Sequence, residues 1–241
     1  MRVDVAVTPA ALEPEMLAGA SALVIDVLRA STTMITALAN GCAAIVPVAE
    51  LDEAHRRAAA IPGALRGGER HGEAPPGFDL GNSPLEFTSE RVRGRTLVFT
   101  TSNGTRALLA ARPAAAVAIA AFVNLGAAAG WAVAQGRDVV VVCAGELGRR
   151  SLEDEVCAGA LVTRLMAAVP ALKPTPAAEA AAVTAQPYLE DPARLAADAP
   201  HARGLSAGGR GADLAACLTL DTHALVPIYR PNVDKIVSGS G

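Results

Sequence analysis

The residues able to do chemistry in this chain gather in short loops, each placed before a helix-like segment and nearly always after an apolar run. The loops are Asp26-Val-Leu-Arg29-Ala-Ser-Thr32-Thr33, Gly68-Glu69-Arg70-His71-Gly72, Thr100-Thr-Ser102-Asn103-Gly104-Thr105-Arg106 and Cys143-Ala-Gly-Glu146-Leu-Gly-Arg149. A weaker member, Ser206-Ala-Gly-Gly-Arg210-Gly211, has no clear strand before it. Every loop carries an arginine, whose fork holds phosphate or carboxylate oxygens in bidentate fashion. Carboxylates set among those arginines suit a divalent cation or a proton transfer. The combination points to a phosphorylated small molecule handled together with a cation.

Each loop also has a plainer reading. Asp26 closes the run Ala22-Leu-Val-Ile and could merely cap the helix that follows. Arg29, Thr32 and Thr33 come within the next turn, and hydroxyls and N–H groups at a helix N-terminus favour an anion, so a site is the better reading. Asn103-Gly104 could form a hairpin turn. A hairpin needs a second strand, whereas Arg106–Ala111 reads as helix, so Ser102, Asn103, Gly104 and Thr105 read as an anion cradle. It is not a Walker loop, because the G-x-x-x-x-G-K-[ST] pattern is absent. Ser151-Leu-Glu153-Asp154-Glu155 opens a helix whose dipole favours acids. Asp154 falls on one stripe with Cys157, Leu161 and Leu165, which turns it inward. The long Gly- and Pro-rich loop from Gly67 to Pro84 supplies Glu69 and Asp79 as metal or base candidates, and Asn82 and Ser83 beside them.

Two motifs compete with this reading. Cys143 and Arg149 have the spacing of cysteine-dependent phosphatases, although Glu146 between them would repel phosphate and raise the thiol pKa. Gly204-Leu-Ser206-Ala-Gly208 matches a nucleophile elbow, but no strand precedes the serine.

The elements expected to hold these loops alternate. Strands are expected at Val3–Thr8, Ala22–Asp26, Ala44–Ala49, Ala64–Gly67, Arg95–Thr100, Ala115–Ala121, Asp138–Cys143 and Leu225–Tyr229. Helices are expected at Ser31–Asn40, Leu51–Ile61, Gly104–Ala111, Gly126–Gln135 and Leu152–Val169. Continuous apolar strands suit a sheet covered on both faces. The expected fold is therefore α/β, a three-layer α/β/α sandwich with a mainly parallel or mixed sheet, in one domain over residues 1–241. Prolines recurring between 170 and 200 break an Ala-rich stretch into short helices, a subdomain or lid near 170–205. The tail after Pro231, which ends in Ser238-Gly-Ser-Gly241, is expected to be loose.

Composition excludes several classes. With 21 basic and 24 acidic residues there is no basic excess for nucleic acid, and 3% aromatics leave little for base stacking. The apolar stretch Ala114–Ala134 is Ala-rich and interrupted by Asn124 and Gly126, so a strand, a turn and a helix are expected there rather than a membrane span. Cys42, Cys143, Cys157 and Cys217 form no C-x-x-C pair, and the first residues carry an acid where a leader would be apolar; both suit the cytoplasm. A homodimer stays open.

Read in order, the motifs resemble those of the 2-phosphosulfolactate phosphatase family. The resemblance rests on Ile25-Asp-Val-Leu-Arg-Ala-Ser-Thr-Thr33, Gly68-Glu-Arg70 with Gly77-Phe-Asp-Leu-Gly-Asn-Ser-Pro84, Thr100-Thr-Ser-Asn-Gly-Thr-Arg106, and Ser151-Leu-Glu-Asp154 with Cys157-Ala-Gly159. It spans Val24 to Leu161 and continues more weakly to Pro227. It implies a Mg2+-dependent phosphatase acting on 2-phospho-3-sulfolactate or a related phosphorylated 2-hydroxy acid. Carried onto this chain, it implies catalytic roles for Asp26, Arg29 and Asp154, with Asp26, Asp154 and Glu69 around the metal. Thr32, Thr33, Arg70, Asp79, Asn82, Ser83, Ser102, Asn103, Gly104, Thr105 and Arg106 would bind substrate. The chain departs from the family pattern at Ser102, at Glu146-Leu147 and in the Gly-rich Ser206–Asp213 segment. A cysteine-dependent phosphatase and a non-catalytic organic-anion-binding protein are the alternatives.

Overall fold

In the computed structural model of the chain, which describes residues 1–239, a single mixed sheet runs through the molecule. Its strands are β1 (Arg2–Ala6), β2 (Ser21–Ile25), β3 (Ala44–Pro47), β4 (Leu65–Gly68), β5 (Thr96–Thr100), β6 (Ala116–Ala120), β7 (Val139–Cys143), β8 (Lys173–Pro174), β9 (Pro227–Arg230) and β10 (Lys235–Ser238). They lie in the order β4-β5-β3-β10-β9-β6-β2-β7-β1-β8. The helices that frame the site are α1 (Ala30–Ala39), α2 (Leu51–Ala59), α3 (Gly104–Ala111), α4 (Leu125–Gln135), α5 (Leu152–Ala168), α6 (Pro176–Ala185), α7 (Pro200–Ala207) and α8 (Gly211–Cys217).

The continuous apolar strands are covered on both sides. In β2, Leu23 and Ile25 enter one apolar cluster and Ala22 and Val24 the other. The same period-two division separates Val141 from Val140 and Val142 in β7, and Ala118 from Val117 and Ile119 in β6. One cluster is closed by α4, α5, α6 and α7, the other by α1 and α3. With aromatics scarce, close helix packing relies on small residues: a Cβ on Gly159 of α5 would stand 1.9 Å from the Ala181 carbonyl oxygen of α6. These layers make the α/β sandwich expected from the sequence. Ala115 to Gln135 resolves into β6, a short turn and α4, and among the described residues no helix is long and apolar enough to cross a membrane.

The sheet departs from a simple parallel arrangement. β6, β2, β7, β1 and β8 are mutually parallel, as are β3, β5 and β4. Between these groups, three successive antiparallel ladders (β6–β9, β9–β10 and β10–β3) reverse the direction. The functional loops therefore do not share one rim of a parallel sheet. They meet because α3, which follows β5, crosses to pack on β2 and β7 of the other group.

β10 takes the place of part of the tail expected to be loose, and Ser240 and Gly241 lie outside the described residues. The β9–β10 turn is held by Asp234, which accepts hydrogen bonds from Arg57 (2.7 Å), Arg112 (2.5 Å) and the Tyr229 hydroxyl (2.7 Å). Arg57 and Arg112 come from distant stretches of chain, so a local reading of the tail could not find them. In the Pro-rich stretch, prolines open α6 and α7 at their first turn, where a missing N–H costs no hydrogen bond.

Candidate functional site

Seven chain segments line one cavity of about 740 Å³, among them Thr8, Pro9 and Ala10 after β1. Asp26, Leu28 and Arg29 come from the loop between β2 and α1, and Glu69, Arg70, His71 and Gly72 from the loop after β4. Ser102, Asn103 and Arg106 follow β5, Glu146, Leu147 and Gly148 follow β7, and His201, Gly204 and Leu205 belong to α7. Asn82 closes one side.

Asp26 is the central acid. It is 7% exposed, and its Oδ1 takes a long 3.3 Å hydrogen bond from the Ala30 N–H. Among the described residues no donor reaches Oδ2. Burial pushes its pKa up to about 6; nearby His201 and the Ala30 N–H oppose that rise, while Glu69 and Glu153 add to it. The backbone N–H of Asp26 is held by the Ser31 hydroxyl at 2.9 Å. Gly104 is in direct contact with this acid: a Cβ there would lie 2.6 Å from Asp26 Oδ2 and 2.7 Å from Ala30 Cβ. The glycine is thus required by the approach of α3 to α1, and Gly104→Ala is expected to lower stability by ~1–3 kcal/mol through overpacking. A thermal melt checks this.

Glu69 joins two of the loops. Its Oε1 accepts the Ser102 N–H at 2.7 Å, and its Oε2 accepts the Gly72 N–H at 2.9 Å and the Ser102 hydroxyl at 3.2 Å. Asn103 bridges to the loop after β7, where its Oδ1 accepts the Leu147 N–H at 3.3 Å. Asn82 is buried against the cavity, and its amide oxygen has no hydrogen-bond partner among the described residues, which leaves it capacity for a ligand. Arg106 is largely exposed and only loosely paired with Glu50, 3.8 Å away. Arg70 instead donates to the Glu69 and Ala49 carbonyls and to the Thr100 hydroxyl.

Several residues expected at the substrate brace the loops instead. Asp154 lies beneath the cavity floor, accepting the Val27 N–H at 2.8 Å and the Gly145 N–H at 3.0 Å. Burial, then the nearby Asp26 charge, holds its pKa well above the usual carboxylate range. Thr32 donates to the Val27 carbonyl and Thr33 to the Asn82 carbonyl. Thr105 exchanges hydrogen bonds with Thr101 inside its own loop. Asp79 faces away and pairs with Arg66. Ser83 donates to Asp213. Of the residues expected to touch substrate or metal, the cavity itself receives Asp26, Arg29, Glu69, Arg70, Asn82, Ser102, Asn103 and Arg106.

Arg29 is only 2% exposed, and its guanidinium forms a 2.6 Å ion pair with Asp213 of α8 and donates to the Gly72 carbonyl. Asp213 and His201 escaped the sequence reading. Both sit in the Ala- and Gly-rich C-terminal half, where the only local hint was that a buried arginine must meet an acid somewhere.

The cysteine-dependent alternative does not survive this geometry. Cys143 is the last residue of β7 and fully buried, and its neighbour Ala144, not Cys143, reaches the cavity, which Arg149 also does not line. Burial, then Asp154, drives the thiol pKa well above its ordinary value, which disfavours the thiolate that nucleophilic attack needs. Ser206 lies on the exposed face of α7, which removes the nucleophile-elbow match as well.

Comparison with known proteins agrees with the loop order. The family model described as 2-phosphosulpholactate phosphatase matches residues 6–232. A protein of Gloeobacter violaceus named probable 2-phosphosulfolactate phosphatase is 43% identical over 86% of this chain and 86% of its own length. One of the same name from Clostridium acetobutylicum is 35% identical over 95% of this chain and 97% of its own. Another, from Thermotoga petrophila, is 46% identical, with the match limited to 60% of this chain and 62% of its own length. The family motifs from Asp26 to Asp154 therefore converge around one cavity and its floor in a chain matched almost end to end, and the chain belongs to the 2-phosphosulfolactate phosphatase family.

Proposed function

We propose that this cavity hydrolyses the phosphate ester of 2-phospho-3-sulfolactate, or of a closely related phosphorylated 2-hydroxy acid, to the free hydroxy acid and phosphate, with Mg2+ as cofactor. The observation that carries the reading is the pairing of a free Asp26 carboxylate oxygen with the Ser102–Arg106 cradle and Arg29 around one cavity.

The donor set suits Mg2+ in a particular way. Among the described residues no group of three or more His, Cys, Asp or Glu side chains forms a ready-made cage. Mg2+ commonly binds through one or two carboxylates, with waters and substrate phosphate oxygens completing the octahedron. Asp26 and Glu69 would hold it, both lining the cavity through hard oxygens. When bound it would supply charge neutralisation at the phosphoryl group. Asp154 then serves from below, fixing the Val27 and Gly145 backbones that carry two of the loops.

Arg29 faces the phosphoryl oxygens, steadied by Asp213, and the Ser102 and Asn103 side chains cradle them. A carboxylate orients the attacking water. Arg106 and His71, at the open side of the cavity, meet the sulfonate or carboxylate of the substrate. The buried free cysteines accord with action in a reducing cytoplasm.

A panel of phosphorylated 2-hydroxy acids assayed with and without Mg2+ tests the reading. The expected result is turnover that falls at least ~100-fold with chelator and is restored by Mg2+. Mg2+ should also raise the melting temperature more at pH 8 than at pH 5, because Asp26 is protonated below about 6. Ester binding without any turnover in saturating Mg2+ would instead establish the organic-anion-binding alternative.

A further inference from the structure

A buried Glu–His pair stands at the cavity wall and has no place in the scheme above. Glu153, in the first turn of α5, is 1% exposed. Its Oε1 lies 3.0 Å from Nδ1 of His201, and its Oε2 is buried without any hydrogen-bond partner among the described residues. His201 is on α7, and its ring lines the same cavity as Asp26 and Arg29. With Nδ1 committed to the carboxylate, Nε2 is the ring nitrogen left for a ligand. A carboxylate behind one imidazole nitrogen fixes the tautomer and orientation of the ring and stabilises its protonated form.

We propose that His201, oriented by Glu153, is the general acid that protonates the leaving alcohol oxygen of the phosphate ester. The proposal rests on the phosphatase reading. In the step, the oxygen of water forms a bond to phosphorus and the bond from phosphorus to the substrate's C2 oxygen breaks. The electron pair of the broken bond stays on that oxygen, which takes the Nε2 proton of His201 and leaves as the alcohol. The imidazole, now neutral, keeps its Nδ1–H on Glu153 and regains a proton from solvent, into which the attacking water has released its own. A 2-hydroxy acid needs this help, because a secondary alkoxide is a poor leaving group.

The charges around the ring agree with the role. Burial opposes the imidazolium, but the Glu153 hydrogen bond and charge, with Glu146 and Asp26 also facing the ring, outweigh it and raise the His201 pKa. Arg29, the buried cation on the same cavity, is neutralised by Asp213. A plain bracing role, tying α7 to α5, would not depend on what the substrate's leaving group is.

The test compares 2-phospholactate with p-nitrophenyl phosphate, whose phenolate leaves unprotonated, using wild type and His201→Gln in saturating Mg2+. His201→Gln is expected to lose about 100-fold in kcat on the alkyl ester and less than about fivefold on the aryl ester. The fall in wild-type kcat at alkaline pH should appear with the alkyl ester and vanish in the variant. A difference between the two losses of less than tenfold would overturn the proposal. Should His201→Gln not fold, Glu153→Gln carries the same comparison. Wild-type inactivity on both esters would instead mark a failure of the phosphatase reading, so the two failures are distinct.

Discussion

Asp26→Asn is expected to abolish phosphate-ester hydrolysis and, at the same time, to make the metal-free protein more stable at neutral pH. Activity should fall by at least ~1000-fold, because Oδ2 would become an amide nitrogen that repels a cation and no longer accepts a hydrogen bond that orients the attacking water. The stability gain follows from linkage. Burial moves the carboxyl from its ordinary 3.8 to about 6 in the fold, so the native state holds this proton more tightly than the unfolded chain. A raised folded pKa stabilises fully below about pH 4 and is lost as pH climbs through about 6, a change of about 3 kcal/mol. The Asn variant carries no such penalty and keeps the Oδ1 acceptor for Ala30. Melts in chelator at pH 5 and pH 8 read the effect: wild type should lose stability between them, and Asp26→Asn should lose less. A variant with full activity, or with wild-type pH dependence of melting, would remove Asp26 from the centre of the site.

Asp213→Ala should be among the most damaging changes away from the cavity surface. Arg29 and Asp213 are both buried and 2.6 Å apart. Removing one partner of a buried ion pair leaves an uncompensated charge and costs ~3–5 kcal/mol. For a chain of this size that is a fall in Tm of about 10 °C. The Ser83 hydroxyl loses its 2.5 Å acceptor as well, so the Asn82–Ser83 side of the cavity should loosen. Asp213→Asn keeps an oxygen acceptor and should lose about half as much. A melt of Asp213→Ala within 2 °C of wild type, on the same ~10 °C scale, would show that Arg29 is held by other means.

The two variants probe parts of the site that differed in how readable they were. Asp26 and Asn103 were visible because each lies at a junction where an apolar strand stops and a helix begins, a pattern set within a few residues of chain, and Glu69 because it opens a long Gly- and Pro-rich loop. Thr32, Thr33 and Thr105 carry the right chemistry at the same junctions, yet their hydroxyls bond backbone carbonyls. Which way a hydroxyl turns depends on the carbonyl that happens to stand opposite. Asp79 was misleading for a similar reason: a nearby arginine, Arg66, holds it outside the cavity.

Residue order and type alone determined the α/β class, the double-faced strands, most helix positions and the family motifs, because strand and helix periodicity and helix caps are local properties. Tertiary structure decided the rest. It reversed β3, β4 and β5 relative to the larger parallel group through the β9 and β10 ladders, carried α3 across to Asp26, and brought His201 and Asp213 from the far C-terminal half to Glu153 and Arg29. A buried charge is stable only beside its counter-charge, and the chain can supply that partner from any distance. No local pattern in the sequence records which one it chooses.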